Sequence, residues 1–332
     1  MHFVKPCDDE VDDGFLRVLR QKKIGVVVPC HNEQKNITIV TRTLPDYVDA
    51  IVVIDDRSTD DTAAIVEREA EEDDRIVLIR HDTNQGVGGA IATGYEWCRD
   101  NGCDAAVVMA GDAQMDPAEL PTLLRPLFED GVNYTKGNRL IYQQARNIIP
   151  GVRFFGNAIL SLLTKFASGY WHVADSQCGY TAVDRKVLQR VDWSHMYKRY
   201  GQPNDLLVTL NIQNFRVRDV PIRPVYNVGE VSGINIRRVT FTISSILLRR
   251  GLQRLWLKYV VYDFHPLVLF FFFGCVMGVA SMLFFLSVIV NWIDDGHAPI
   301  LSTLAFLFSV SFSVNSLFFS MWMDMERNKH LR

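Results

Sequence analysis

The chain has 332 residues, of which 35 are basic and 38 acidic, so its formal net charge is -3. This near balance leaves no electrostatic footprint for nucleic-acid binding, and the length fits one large domain or two smaller ones. The six cysteines show neither a metal-ligand nor a disulfide spacing, which favours a reducing, cytosolic setting for the soluble part.

β-Branched runs alternate with segments of helical composition along the first half of the chain. Strands are predicted at Ile24 to Pro29, Ile51 to Ile54, Ile76 to Ile79 and Ala105 to Met109. Helices are predicted over Gln34 to Leu44, from Asp60 to about Glu72, from the Gly86 to Gly94 segment onwards, and from Pro117 with Asp116 as N-cap. This alternation indicates an α/β fold with a mostly parallel, doubly wound sheet and right-handed crossovers.

Polar side chains collect where these strands end. They are His31, Asn32 and Glu33 after the first strand, Asp55 and Asp56 after the second, and Asp112 and Gln114 after the fourth. Because the carboxyl ends of parallel strands share one edge of a sheet, we expect a nucleotide pocket there. A dinucleotide-binding dehydrogenase is disfavoured, since no glycine fingerprint follows the first strand and the Gly86 segment has Ile91 at the third required position.

The stretch from Met109 to Pro117 lies at this edge. Asp112, Gln114 and Asp116 alternate with small or flexible residues, so their oxygens can converge on a hard cation that is itself bound to substrate phosphates. The alternative is a solvated acidic turn that only caps the following helix.

Motifs in register carry a resemblance to a known family. They are Val28 to Glu33 (Val-Pro-Cys-His-Asn-Glu), Val53 to Thr62 (Val-Ile-Asp-Asp-Arg-Ser-Thr-Asp-Asp-Thr), the segment Asn84 to Gly94, and Gly111 to Gln114 (Gly-Asp-Ala-Gln). In order and spacing they resemble the family-2 inverting glycosyltransferases, over roughly Lys22 to Tyr226, and within that family the dolichyl-phosphate and undecaprenyl-phosphate sugar synthases. The resemblance implies a Rossmann-like A-type glycosyltransferase domain.

The resemblance also implies roles for residues on the donor side. Carboxylates suit the binding of a nucleotide because base N–H groups and ribose hydroxyls are donors. The implied nucleotide-binding residues are Pro29, Asn32, Glu33, an acid of the Asp55 and Asp56 pair, Gly86, Gly111 and Asp112.

A divalent cation is implied on the donor diphosphate. Asp112 and Gln114 would hold Mg²⁺ or Mn²⁺ there. The sequence departs from the usual Asp-x-Asp, because Ala110 stands where the first acid normally lies. Asp116 or water would then complete the coordination.

On the acceptor side, arginines are candidate phosphate ligands because a guanidinium binds phosphate bidentately. Arg139 is assigned to the donor diphosphate and Arg153 to an acceptor phosphate. The segment Asp175-Ser-Gln-Cys-Gly179-Tyr resembles the family's acceptor-side loop, which implies that Asp175 and Gly179 also contact the acceptor phosphate. Asp205, after Asn204, resembles the acid at the start of an acceptor-site helix, where it would position groups without taking a proton; a plain N-cap is the alternative. The implied catalytic residues are Asp112, Arg139 and Asp205.

The apolar residues are concentrated after Pro266. Leu267 to Val290 and Ile300 to Met323 are each longer than the roughly 20 residues that a helix needs to cross a bilayer. The turn between them holds acids without Lys or Arg, whereas basic residues flank the pair, so both termini and the catalytic domain are expected on the cytoplasmic side. Interfacial helices with a basic face toward anionic headgroups are predicted ahead of them, from Arg237, Arg238, Arg249, Arg250, Arg254 and Lys258.

These predictions divide the chain into an acidic tail without a secretory signal (1–21), a nucleotide-sugar glycosyltransferase domain (22–230), basic amphipathic juxtamembrane helices (231–264) and a two-helix transmembrane hairpin (265–332). We expect metal-dependent, inverting transfer of one sugar from a GDP- or UDP-sugar to a dolichyl or undecaprenyl phosphate at the cytoplasmic membrane face. The expected partners are that donor, that lipid and the bilayer; self-association through the membrane helices stays open. The alternatives are transfer to a hydroxyl of a lipid-linked glycan and a non-catalytic nucleotide-binding scaffold, which Ala110 permits.

Overall fold

The computed structural model describes residues 12–140, 151–223 and 236–332, and within 151–159 and 236–241 it describes the backbone alone. The described residues form a seven-stranded sheet flanked by helices, and two long apolar helices follow in the chain. The strands are β1 (Ile24–Cys30), β2 (Ala50–Asp55), β3 (Ile76–Arg80), β4 (Ala105–Val108), β5 (Tyr134–Asn138), β6 (Thr181–Asp184) and β7 (Val217–Pro221).

The strand order is β3-β2-β1-β4-β6-β5-β7. All described pairings are parallel except the two that β6 makes with β4 and β5. Thr181 at the start of β6 lies opposite Val108 in β4 and Lys136 in β5. The loop that enters β6 therefore lies at the carboxyl ends of its two neighbours. The predicted mostly parallel sheet is confirmed, and its reversed strand has no counterpart in the sequence prediction.

The helices follow the predicted alternation, with boundaries shifted by a few residues. A 3-10 turn at Pro117–Glu119 precedes α5, and the Asp116 carboxylate accepts from the Ala118 N–H at 2.9 Å, which confirms Asp116 as the N-cap. The helices are α1 (Asp13–Leu19), α2 (Ile37–Thr43), α3 (Thr62–Glu72), α4 (Val87–Asp100), α5 (Leu120–Glu129), α6 (Gly151–Ser168), α7 (Arg185–Arg190), α8 (Gln202–Ile212), α9 (Ile236–Trp256), α10 (Leu267–Asp295) and α11 (Ile300–Asn328).

Both faces of the sheet are buried, which explains why its strands read as continuous apolar runs. Successive residues of a strand point to opposite faces. In β1, Val26 and Val28 accordingly pack in a cluster with residues of α1, α2 and α5, whereas Val27 packs in a second cluster with α4, α7 and α8. Two helical layers thus fix the strand ends that carry the polar residues.

The chain divides into two compact units, residues 1–251 with 331–332, and residues 252–330. The second unit contains α10 and α11, each long and apolar enough to cross a bilayer. Most of their large apolar side chains are exposed within the structure. This exposure distinguishes them from core helices of a water-soluble domain, whose apolar face is covered.

Small residues mediate the contact between α10 and α11. Ser313 Oγ donates to the Gly274 carbonyl oxygen at 2.8 Å, and a Cβ on Gly278 would lie 3.1 Å from the same hydroxyl. Small residues allow helix backbones to approach closely in an apolar medium. Ser313 therefore lies on the face of α11 that packs against α10, whereas Asn315 lies on the exposed side.

Two of the cations assigned to a headgroup-facing surface are buried instead. Within the second unit, Arg254 is 1% exposed and forms an ion pair with Asp324 at 2.7 Å. Lys258 Nζ donates to Asn328 Oδ1 at 2.8 Å and is also buried. The prediction of a basic face toward headgroups is therefore wrong for these two residues, because sequence spacing does not show that α11 supplies polar partners.

Candidate active site

Carboxylates converge where β1, β2 and β4 end. Cys30 closes β1 and pairs in register with Asp55 in β2. Burial raises the pKa of the Cys30 thiol well above its usual value, and nearby negative charges add to this shift. Those charges belong, in decreasing order of effect, to Glu33, Asp55, Asp112 and Asp60. Residues predicted from separate motifs thus share one acidic edge.

Asn32 joins the loop after β1 to the loop after β2. Its backbone has φ of 61°, in the left-handed region that Asn tolerates better than most residues. The Asn32 N–H donates to Ser58 Oγ at 2.9 Å, and its side-chain oxygen accepts from the Thr59 N–H at 2.8 Å. The Ser58 N–H in turn donates to Asp55 at 3.1 Å. These bonds hold the two predicted nucleotide-binding loops in one arrangement.

The two acids after β2 have different surroundings. Asp56 is 3% exposed and accepts from the Gln85 N–H and the Gly86 N–H, each at 2.7 Å. His81 Nδ1 donates to the same carboxylate at 2.8 Å. Asp56 is therefore occupied in holding the glycine-rich loop, and Asp55 is the acid of the pair that fits a nucleotide contact.

The conformation of Gly86 is fixed by its contacts with Asp56 and with the backbone of Lys198. Its φ is +85°, and a Cβ there would lie 2.6 Å from the Lys198 carbonyl oxygen, so a side chain would be strained and would clash with backbone. Lys198 Nζ also donates to Gln85 Oε1 at 2.9 Å. The structure thus places Gly86 between Asp56 and the backbone of residue 198.

The acidic turn, the stretch from Met109 to Pro117 after β4, lies against the end of β1. The Gly111 N–H donates to the Pro29 carbonyl oxygen at 3.2 Å, and the Gln114 N–H donates to Asp112 Oδ1 at 3.0 Å. Ala113 between them has φ of 56°, an unfavourable conformation for a residue with a Cβ. Backbone strain of this kind is common at binding sites, where surrounding contacts enforce it.

The donor set of this turn fits a hard cation only with help from a ligand. Asp112 and Gln114 offer carboxylate and amide oxygens, whereas an Asp116 oxygen is engaged by the Ala118 N–H. No group of three or more His, Cys, Asp or Glu within the described residues could hold a metal ion. Mg²⁺ is commonly held by one or two protein oxygens together with substrate phosphates. The residues present therefore fit a metal that arrives with a diphosphate.

Arg139, directly after β5, is held by Asp175 from the loop that enters β6. Arg139 Nε donates to Asp175 Oδ2 at 2.8 Å, and Nη2 donates to Oδ1 at 3.2 Å. Burial alone would raise the pKa of the Asp175 carboxyl, but the charge and hydrogen bonds of Arg139 outweigh burial and hold that pKa below its usual range. The predicted diphosphate ligand and one predicted acceptor ligand are thus an ion pair.

The loop that enters β6 also contacts the acidic turn. Tyr180 Oη donates to the Asp116 carbonyl oxygen at 2.8 Å, and a Cβ on Gly179 would lie 3.3 Å from Met115 Cε. The structure therefore brings Asp112, Arg139, Asp175 and Gly179 to one edge of the sheet. Arg153 belongs to α6, but its side chain lies outside the described residues.

Asp205 lies inside α8, so the plain N-cap alternative is wrong: Gly201 occupies that position, and no side chain caps the helix. Asp205 Oδ2 accepts from the Tyr197 N–H at 3.1 Å, and Oδ1 forms an ion pair with Arg250 Nε at 2.5 Å. Asn204 Oδ1 accepts from Thr164 Oγ1 at 2.8 Å. The buried Nδ2 of Asn204 has no hydrogen-bond partner among the described residues.

Sequence reasoning interpreted His81 as an ordinary surface or packed imidazole, and it missed the partners of both His81 and Arg250. His81 directly follows β3, so the same strand-end argument that selected Asp55 would have found it. Arg250 was assigned to the headgroup-facing surface, and no local signal connects it to Asp205, because the two residues meet only through the packing of α9 on α8.

A sequence profile of glycosyl transferase family 2 matches residues 25–192. This match spans half of the chain, and it covers β1 to β4 with the acidic turn, as well as β5 and β6. The chain belongs to glycosyl transferase family 2 and is a glycosyltransferase.

Relatives with named activities include one archaeal and one bacterial enzyme. The UDP-N-acetylglucosamine–dolichyl-phosphate N-acetylglucosaminyltransferase of Methanococcus voltae is 29% identical over 222 residues, covering 63% of this chain and 88% of the relative. The polyprenol monophosphomannose synthase of Mycolicibacterium smegmatis is 28% identical over 236 residues, covering 69% of this chain and 88% of the relative.

Solved structures with the same fold include glucosyl-3-phosphoglycerate synthase from Mycobacterium tuberculosis in complex with Mn²⁺, UDP-glucose and phosphoglyceric acid. It superposes with a TM-score of 0.53 at 20% identity, covering 73% of this chain and 82% of the other. At this identity the similarity concerns the fold alone, and it confirms the predicted A-type glycosyltransferase domain.

Proposed function

We propose that the protein transfers one sugar, with inversion, from a GDP- or UDP-sugar to a polyprenyl phosphate, and that the reaction depends on Mg²⁺ or Mn²⁺. The observation that carries this proposal is the joining of the acidic turn at Asp112 to the Arg139 and Asp175 ion pair through the Tyr180 contact. One edge thereby offers oxygen ligands for a cation and a guanidinium for phosphate. The names of the relatives from Methanococcus voltae and Mycolicibacterium smegmatis, both polyprenyl-phosphate enzymes, support the acceptor class.

On the donor side, Pro29, Asn32, Glu33 and Asp55 line the nucleotide site, and Asp112 and Gln114 would hold a cation that binds together with the diphosphate. A bound divalent cation supplies positive charge that offsets the charge of the departing diphosphate. Arg139 adds a second positive charge, and Asp175 fixes its orientation.

On the acceptor side, an oxygen of the lipid phosphate attacks the anomeric carbon while the bond from that carbon to the nucleotide diphosphate breaks on the opposite face. A phosphate monoester has a second pKa of about 6, so most of the acceptor is already dianionic at neutral pH. No strong general base is then required. Asp205 fits this scheme as a positioning group, because its carboxylate is engaged by Arg250 and the Tyr197 N–H.

The buried Asn204 Nδ2 supports an acceptor site beside α8. A buried donor without a protein partner is unfavourable by about 1 to 3 kcal/mol, so such a group is available to bind a ligand or an ordered water. Gln177 from the loop that enters β6 donates to the Asn204 side-chain oxygen at 3.3 Å. We assign this place, together with Arg153 and Gly179, to the acceptor phosphate.

We also propose how the protein is arranged at the membrane. The glycosyltransferase domain comprises residues 22–230, the juxtamembrane helices residues 231–264 and the transmembrane hairpin residues 265–332. We place α10 and α11 across the bilayer with both termini and the catalytic domain on the cytoplasmic side. Asp294 and Asp295 lie beside the turn that joins the two helices, whereas Arg327 and Lys329 lie at the opposite end of the hairpin. Basic residues at that end place it on the cytoplasmic side by the positive-inside rule.

The test uses purified full-length protein, a panel of radiolabelled nucleotide sugars and a short polyprenyl phosphate, with and without Mn²⁺. Metal-dependent label on the lipid phosphate supports the proposal. Label on a hydroxyl of an added lipid-linked glycan, with none on the phosphate, would contradict the proposal and identify the protein as a transferase that acts on lipid-linked glycans. Donor binding without any transfer would contradict catalysis and leave a nucleotide-binding scaffold.

A further inference from the structure

Arg250 in α9 contacts two residues in the first two turns of α8. Its Nε lies 2.5 Å from Asp205 Oδ1, and its Nη2 donates to Thr209 Oγ1 at 2.6 Å. Thr209 Oγ1 donates to the Asp205 carbonyl oxygen at 3.1 Å. One guanidinium therefore engages the side chain of Asp205 and, one helical turn further on, a hydroxyl that bonds to its backbone.

The Asp205 carboxylate continues this connection into the 197–198 segment, the residues Tyr197 and Lys198. Its other oxygen accepts from the Tyr197 N–H at 3.1 Å. The neighbouring Lys198 carbonyl oxygen accepts from the Gly89 N–H at 3.0 Å at the start of α4. Arg250 is thus linked through Asp205 to the glycine-rich loop on the donor side.

The fit between the 197–198 segment and the glycine-rich loop is tight. A Cβ on Gly88 would lie 2.3 Å from the Tyr197 carbonyl oxygen, which only a glycine avoids without a backbone shift. The glycine-rich loop is held in turn by Asp56, whose carboxylate accepts from the Gln85 and Gly86 N–H groups. A displacement of the segment would therefore be transmitted to the loop beside the donor site.

Because the Asp205 carboxylate is buried, its position depends on the ion pair with Arg250. The Asp205 side chain is 5% exposed, and the Arg250 side chain is 25% exposed. A buried carboxylate that loses its cation is left with an uncompensated charge, so it moves toward water or draws water in. Ile243 and Leu247 of the same helix pack against Val208 of α8, which fixes the reach of Arg250.

We propose that Arg250 is a positioning residue: it fixes Asp205 and, through it, holds the 197–198 segment against the glycine-rich loop. Its kinetic consequence rests on the proposed function. Because the Asn204 and Asp205 turn borders the assigned acceptor site, loosening it raises the KM for the lipid phosphate more than it lowers kcat. Arg249 provides a matched control, since it is adjacent, equally basic and exposed.

The first readout is hydrogen exchange of the full-length protein, which requires no substrate. We expect Arg250→Gln to speed exchange of the Tyr197 and Gly89 amides on the order of tenfold, with β1 amides unchanged and Arg249→Gln resembling the wild type. Unchanged protection in Arg250→Gln overturns the proposal. If Arg250→Gln does not fold, Arg250→Lys is measured instead, and its Tyr197 protection must still fall, because the single ammonium nitrogen of lysine lacks the planar fork with which Arg250 meets Asp205 through Nε and Thr209 through Nη2.

The second readout is steady-state kinetics with the nucleotide sugar and polyprenyl phosphate. We expect the acceptor KM of Arg250→Gln to rise on the order of tenfold with kcat changed less, and Arg250→Lys to lie between the variant and the wild type. Equal loss in kcat for Gln and Lys variants contradicts positioning. Should the wild type transfer no sugar to the lipid while Tyr197 protection falls in the variant, the proposed function fails and the role of Arg250 stands.

Discussion

Asp175 binds Arg139 through both carboxylate oxygens, with Nε to Oδ2 at 2.8 Å and Nη2 to Oδ1 at 3.2 Å. Sequence resemblance assigned the two residues to different substrates, Arg139 to the donor diphosphate and Asp175 to the acceptor phosphate. The ion pair gives Asp175 a different use. A carboxylate repels a phosphate, so it serves the reaction best by orienting the cation that binds one.

Replacing Asp175 should therefore act through Arg139. We expect Asp175→Asn to lower the rate of sugar transfer on the order of 10², because small misplacements of a positioned group have effects of that size. The double variant Asp175→Asn with Arg139→Ala should lose no more than Arg139→Ala alone. Asp184→Asn, which removes a half-buried carboxylate from the start of α7, controls for general destabilisation. Additive losses would show that Asp175 acts independently of Arg139.

Asp219 should make stability depend on pH. Burial raises the pKa of the Asp219 carboxyl to about 6, although the Ala174 N–H donates to it at 2.7 Å. A folded-state pKa above the unfolded value stabilises the fold at low pH, and this contribution is lost as pH rises through about 6. The loss amounts to about 3 kcal/mol at neutral pH.

The variant Asp219→Asn removes this titration. We expect its free energy of unfolding at about pH 7, relative to about pH 4.5, to exceed that of the wild type, as measured by denaturant titration at both values. The exposed Asp82→Asn should reproduce the wild-type dependence. An unchanged slope in Asp219→Asn would contradict the assignment.

Substitutions of Asp112 and Asp116 in the acidic turn should distinguish metal binding from helix capping. Asp112→Asn is expected to abolish metal-stimulated nucleotide binding and to reduce transfer by at least about 10². Asp116→Asn should retain most activity and lose about 1 kcal/mol of stability or less, because its role is the cap on Ala118. Titration calorimetry with and without EDTA checks both variants. Comparable activity losses would instead place Asp116 among the cation ligands.

The acceptor class can be read from Asp205 by comparing two variants. With a phosphate acceptor, Asp205→Asn and Arg250→Gln should give similar, modest losses, since each breaks the same ion pair. A hydroxyl acceptor needs proton removal, and loss of a general base reduces the rate about 10² to 10⁴-fold. Assays of initial rates with both acceptors decide the matter: a far larger loss in Asp205→Asn than in Arg250→Gln would favour the hydroxyl.

Local signals were sufficient for the strand edge. β-Branched runs predicted β1 to β4, and the residues that follow them were correctly expected to share an edge, as Cys30, Asp55 and Asp112 show. Asp116 was recognised as an N-cap because that motif is encoded within a few residues. Such features depend on neighbours in the sequence, so one chain is enough to reveal them.

Long-range partners could not be predicted in the same way. The sequence assigned an acid of the Asp55 and Asp56 pair to the nucleotide without distinguishing the two, and only the structure shows that the Asp56 oxygens bind Gln85, Gly86 and His81 from another loop. Arg254 was expected to face headgroups and pairs with Asp324 instead. A carboxylate or a guanidinium has the same local appearance whether it binds substrate or another side chain, and only tertiary packing separates the two.

The reversed direction of β6 has a practical consequence for engineering. Residues before Thr181 lie at the edge of the sheet that carries the candidate active site, whereas those after Asp184 lie at the opposite edge. Libraries meant to broaden substrate choice can therefore be restricted to the short stretch before Thr181. A fluorophore attached at the exposed Lys186 would report on the protein from the far side without obstructing catalysis.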